Sequence, residues 1–140
     1  MIVEPYLSFE GRCDEALTFY KSALDAKELM VMRFKDNPDT NKEGCPGGPV
    51  DLQKVMHSAL KIGDSNVMMT DGRCTGKMNF SGIHLSLTVD TEAQADKYFN
   101  ALNAGGKVLV PLNKTFFSKK FGMVQDKFGV DWMVLVKPQM

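Results

Sequence analysis

The sequence predicts an α+β fold made of two βαβββ modules paired around a shared cavity, within one domain spanning residues 1–140. Three observations carry that expectation. The run Tyr6-Leu7-Ser8-Phe9, with the helix-like segment ending Tyr20…Ala23-Leu24-Asp25-Ala26, returns as His84-Leu85-Ser86-Leu87 and Tyr98…Ala101-Leu102-Asn103-Ala104. At this constant offset Leu7, Ser8, Tyr20, Ala23, Leu24 and Ala26 all meet identical residues. Later on, Gly63-Asp64-Ser65-Asn66-Val67-Met68 faces Gly129-Val130-Asp131-Trp132-Met133-Val134 at a shorter offset, so the first copy carries the longer insertion. Units of this length exceed the repeat of a solenoid. The expected modules are residues 1–72 and 80–140.

The first module should open with a strand at residues 5–9, broken by Gly11 before a helix whose acidic first turn, Asp14-Glu15, suits the positive end of the helix dipole. Ala16, Leu17, Tyr20, Ala23 and Leu24 recur at helical spacing and form one apolar stripe. A strand at 29–34 follows. Residues 35–55 then turn to Pro, Gly and polar types, and a loop of that length in a compact domain is expected to cover a site or a subunit seam. Strands at 56–62 and 66–70 are separated by Gly63-Asp64, and the loop Asp71–Lys77 joins the modules. From Ile83 to Val89 the alternation is strict: His84, Ser86 and Thr88 fall on one face, with the apolar residues opposite. Thr91 and Gln94 form a capping box, Ala95, Tyr98, Phe99 and Leu102 supply the second helix stripe, and Gly105-Gly106 ends it. Strands at 107–110, 122–127 and 132–136 complete the second module.

Composition excludes several function classes. Seventeen basic residues balance seventeen acidic ones, leaving no electrostatic footprint for nucleic acid. No apolar run approaches the ~20 residues of a membrane-spanning helix, and the first residues lack the pattern of a secretory signal. Three cysteines, Cys13, Cys45 and Cys74, cannot all pair within one chain and lack zinc spacing, so they read as reduced thiols of a cytoplasmic protein. Nucleophile-elbow, P-loop and dinucleotide-binding glycine motifs are absent.

Candidate site residues come from three groups. The only histidines, His57 and His84, each lie near the start of a strand in a different module, where they could ligate a metal or simply hydrogen-bond. Ten methionines, most of them in predicted strands, suit either an adaptable pocket or ordinary core. Phe116, Phe117, Phe121, Phe128 and the sole Trp132 cluster near the C-terminus, as a pocket lining or a core wall.

The motifs Pro5-Tyr6-Leu7-Ser8-Phe9-Glu10-Gly11, Glu15-Ala16-Leu17-Thr18-Phe19-Tyr20, Ile62–Asp71 and Asp126-Lys127-Phe128-Gly129-Val130-Asp131-Trp132 resemble the PhnB-like branch of the vicinal oxygen chelate superfamily. Glyoxalase I, bleomycin-resistance proteins and extradiol dioxygenases are relatives. The resemblance covers nearly the whole chain and implies a cup-shaped mixed sheet and a homodimer. In metal-using members four strand positions supply the ligands. Here they match His84, Pro5 or Tyr6, Met68 or Met69, and Met133, with His57 one strand away. One imidazole and thioethers bind a hard divalent metal weakly.

The expected function is therefore small-molecule binding in an apolar cup lined by Tyr6, His57, Met69, His84, Ser86, Phe117, Trp132 and Met133. No cofactor is expected, although a divalent metal on His84 and His57 is the alternative and would imply a lyase, isomerase or dioxygenase. The branch's frequent label, 3-demethylubiquinone methyltransferase, implies a further alternative. The expected partners are a small organic molecule and a second copy of the chain, without nucleic acid or membrane.

Overall fold

The computed structural model describes residues 1–39 and 51–138. The chain forms two compact units, Met1–Met78 and Asn79–Met140. Each has the order strand, helix, three strands, so the architecture is α+β with two βαβββ modules.

In the first unit β1 (Tyr6–Ser8), α1 (Cys13–Ala23), β2 (Lys27–Arg33), β3 (Val55–Ile62) and β4 (Ser65–Thr70) form a sheet of order β1-β4-β3-β2. The β1–β4 pair is parallel and the other two pairs are antiparallel. In the second, β5 (His84–Val89), α2 (Glu92–Leu102), β6 (Lys107–Asn113), β7 (Phe121–Gln125) and β8 (Asp131–Val136) give the same topology, β5-β8-β7-β6. The repeat read from the sequence is thus one topology built twice.

One face of each sheet is covered by its helix. Leu7, Ser58, Leu60, Val67 and Met69 are buried there in the first unit, against Ala16, Leu17 and Tyr20 of α1. In the second, Trp132, Val134 and Val124 are buried on the side of Ala95, Phe99 and Leu102. Gly122 is needed at this seam. A Cβ there would stand 2.8 Å from the Phe99 ring and 2.9 Å from the Val110 carbonyl oxygen, so a side chain would push the helix off the sheet.

The helix starts are held differently. Thr91 accepts from the Gln94 N–H at 3.1 Å while the Gln94 side chain accepts from the Thr91 N–H at 3.2 Å, the expected capping box. Arg12, before α1, makes no side-chain cap. Its substitute is remote: the buried Asp71 accepts from the Cys13 N–H at 2.7 Å and the Val55 N–H at 2.6 Å, tying the starts of α1 and β3 to the end of β4. A carboxylate at a helix N-terminus also suits the dipole.

Three differences from the sequence expectation have physical causes. Strand β6 continues through Pro111 to Asn113, because an edge strand tolerates the missing N–H and the ladder shifts register on either side of Val110. Residues 34–36 form a 3-10 turn rather than continuing β2. The long loop of residues 35–55 lies partly outside the described residues, as does Cys45. The reading of three reduced thiols is also corrected: Cys74 is disulfide-bonded, whereas Cys13 is a free, buried thiol. Sequence spacing does not measure distance in space, and an odd count leaves room for one pair.

Candidate functional sites on the open sheet faces

The face of each sheet away from its helix is only partly covered, and register decides what stands on it. In the first unit Tyr6 pairs with Met68, Met68 with Ala59 and Ala59 with Met30, giving one cross-strand row. His57 pairs with Met32 in the neighbouring row. The Tyr6 phenol oxygen and His57 Nδ1 lie 2.9 Å apart, with the ring centroids 5.4 Å apart. Tyr6 on β1 and His57 on β3 therefore meet across β4.

The second unit's open face has three rows. His84, Asp131, Gln125 and Lys107 form a polar one; Ser86, Met133, Met123 and Val110 form an apolar one with a hydroxyl at its end; Thr88, Leu135, Phe121 and Asn113 form the third. His84 Nε2 stands 3.4 Å from Asp131 Oδ2, with side chains 42% and 19% exposed. Gln125 Nε2 donates to the other oxygen, Asp131 Oδ1, at 2.9 Å. The carboxylate is thus held on one side and presented to an accessible imidazole on the other. Beyond the third row, Phe117 packs edge-on against Phe121 with centroids 5.3 Å apart.

Tyr6, His57, His84, Ser86, Phe117 and Met133 accordingly stand on or beside the open faces of their own units. Met69 and Trp132 do not. Met69 is fully buried, paired with Leu7 and Ser58 on the helix side. Met68 takes the open position, since adjacent strand residues point to opposite faces. Trp132 is 3% exposed and pairs with Leu85, also on the helix side. Its indole N–H donates to Asp126 Oδ2 at 2.9 Å, and Asp126 Oδ1 accepts from the Phe128 and Val130 N–H groups at 2.9 and 3.1 Å. Trp132 thereby pins a turn instead of lining a surface.

Asp131 and Gln125 were missed by the sequence reading. Asp131 was legible: it lies two residues before Met133 and so shares its face. Gln125 depends on the β7–β8 register and carries no comparable signal.

The fold's metal-using relatives raise the question of fit. Among the described residues no three His, Cys, Asp or Glu side chains converge. His57 meets a phenol, and His84 meets a single carboxylate already engaged by an amide. The described residues do not fit a centre held by three conventional protein ligands. Cys13 is no better suited to bind or react, because burial pushes its thiol up to about 12, reinforced by the nearby Asp71 carboxylate.

Among solved structures, the glyoxylase/bleomycin resistance protein/dioxygenase domain from Frankia sp. is 17% identical over 99% of this chain and 93% of its own, with a TM-score of 0.66. That likeness identifies the fold of the vicinal oxygen chelate superfamily. The PhnB protein from Bacillus cereus is 30% identical, covering 97% of this chain and 99% of that one, with a TM-score of 0.77. Protein YjdN of Escherichia coli is 34% identical over 99% of this chain and 97% of its own length. The family model described as 3-demethylubiquinone-9 3-methyltransferase matches residues 2–135. The chain belongs to that family, the PhnB-like branch of the superfamily.

Proposed function

We propose that the protein binds a small organic molecule on its open sheet faces without requiring a metal, and that it works as a homodimer. The observation that carries this reading is the second unit's apolar Met133–Met123 row beside the His84–Asp131–Gln125 row. Pliable thioethers accommodate an apolar body, while a fixed polar pair orients one hydrogen-bonding group. The Tyr6–His57 pair over Met68 repeats that combination in the first unit. Exposed strand edges at β2 and β6 support self-association. A cytoplasmic location belongs to the same reading; the Cys74 disulfide weighs against it.

Native mass spectrometry of protein purified from its own host tests ligand, metal and assembly together. The expected species has twice the 15.6 kDa chain mass and a retained organic ligand that Met133→Lys and His84→Ala weaken. A chain-mass species would refute the dimer. Stoichiometric metal that disappears in His84→Ala would replace this reading with a metal-dependent lyase, isomerase or dioxygenase.

The description of the family model favours a second reading, methyl transfer. Saturable binding of S-adenosylmethionine, measured by calorimetry, would promote it.

No helix among the described residues is long and apolar enough to cross a membrane.

A further inference from the structure

We propose that the β6–β7 hairpin of the second unit holds a planar aromatic anion, with Phe116 as the ring that it packs on and Lys114 and Lys119 as the cations that meet its charge. The proposal rests on the small-molecule reading and names the chemical class of the ligand.

Phe116 is 101% exposed, yet the turn that carries it is closely tied. The Thr115 N–H donates to the Ser118 carbonyl at 2.9 Å, and the Phe117 and Ser118 N–H groups donate to Thr115 Oγ1 at 3.3 and 3.1 Å. Ser118 Oγ in turn lies 2.7 Å from both the Lys120 and Val136 carbonyl oxygens, which fastens the loop to β8. The constrained backbone holds the exposed phenyl ring in a fixed place, where a ligand can pack on it.

Continuity indicates what that partner is. Phe116 packs edge-on against Phe117 with centroids 5.1 Å apart and planes at 83°, and Phe117 packs likewise against Phe121 at 5.3 Å and 73°. Phe121 pairs with Leu135 on the open face, two residues from Met123. The ladder thus leads from the proposed binding face to the loop tip, and its next rung would be another ring.

Charge selects the kind of ring. From Lys107 to Gln125 the sequence contains four lysines and no acidic residue, although the chain as a whole is neutral. Asp96 engages Lys120 at 2.6 and 2.8 Å. Lys114 and Lys119 flank the closed turn and are exposed; Lys119 also borders a cleft that holds Asp90 and Glu92, so Lys114 carries the larger share of the charge argument. Ammonium groups beside an exposed ring favour an aromatic carried on an anion and disfavour an aromatic cation.

A matched pair of fluorescent probes tests this: 8-anilinonaphthalene-1-sulfonate and its uncharged counterpart N-phenyl-1-naphthylamine. The sulfonate should bind more tightly to the wild type. Phe116→Ala should weaken both probes about two- to tenfold, the range expected for one lost ring contact. Replacing Lys114 and Lys119 together by glutamine should weaken only the sulfonate, and added salt should erase that difference. Unchanged near-ultraviolet circular dichroism of Trp132 would confirm that the variants are folded. Sulfonate affinity that is indifferent to Phe116→Ala or to the double lysine variant overturns the proposal. Met133→Gln separates the two readings. Binding that falls with Met133→Gln but not with Phe116→Ala keeps the open-face reading and removes the hairpin, whereas binding that responds to neither removes both.

Discussion

The two units share one topology and reach it by different routes. In the second, the helix start is written locally, in Thr91 and Gln94 a single turn apart. In the first, the same task falls to Asp71, 58 residues from the N–H that it accepts. A local cap forms as soon as its helix forms. A remote one contributes only once β4 and the turn after it are in place, so the first unit's helix depends on its sheet. The open faces differ in the same spirit: the first offers a phenol against an imidazole, the second an imidazole against a carboxylate fixed by an amide. One fold has been furnished twice with different chemistry.

The largest test of this contrast compares the two caps. Asp71→Ala leaves two buried N–H groups without acceptors, those of Cys13 and Val55. It should cost about 3–6 kcal/mol, since each lost bond to a charged group is worth ~1.5–3 kcal/mol. Thr91→Ala should cost ~1 kcal/mol, the usual value of an exposed N-cap. Urea denaturation followed by circular dichroism reads both. Equal costs would erase the distinction between a remote and a local cap.

A middle-sized effect is expected at Trp132. Trp132→Phe keeps most of the buried ring but removes the N–H that donates to the buried Asp126 carboxylate. The cost should be about 1–3 kcal/mol, while affinity for a ligand on the open face should hardly move. A large loss of binding with intact stability would return Trp132 to the site.

The sequence made the repeat, the element order and the facing of β5 legible, because strict alternation from Ile83 to Val89 admits one register without exposing its leucines. Alternation fails at β4. Two adjacent methionines, Met68 and Met69, offer the same side chain to either face, and only pairing with Leu7 and Ser58 assigns Met69 inward. Trp132 misled for a different reason. A large aromatic with a polar tip suits a pocket and a core equally, and the deciding group, Asp126, acts through a turn whose geometry the sequence does not display. Asp71 shows the same limit, since its partners Cys13 and Val55 are far away along the chain.

The smallest predicted effect lies on the surface of the first unit, where Arg33 at the end of β2 donates to both Asp14 carboxylate oxygens at 2.9 Å. The second unit's nearest analogue is the Lys120–Asp96 pair. Hydrogen bonding and attraction from Arg33 hold the Asp14 carboxyl below its ordinary range, although partial burial opposes this. A carboxylate whose folded pKa is depressed contributes stability above its unfolded pKa of ~3.9 and loses it as pH falls through the lower folded value. Arg33 stays protonated throughout, so the dependence belongs to Asp14. Because the Asp14 side chain is 56% exposed, solvent screens the pair, and its contribution should be only about 0.5–1 kcal/mol at low salt. Asp14→Asn should therefore lower the thermal midpoint slightly at pH 7, and the gap from wild type should close as both proteins are taken below pH ~4. A gap that persists undiminished in acid would mean that Asp14 acts through packing or helix-start geometry, not through its charge.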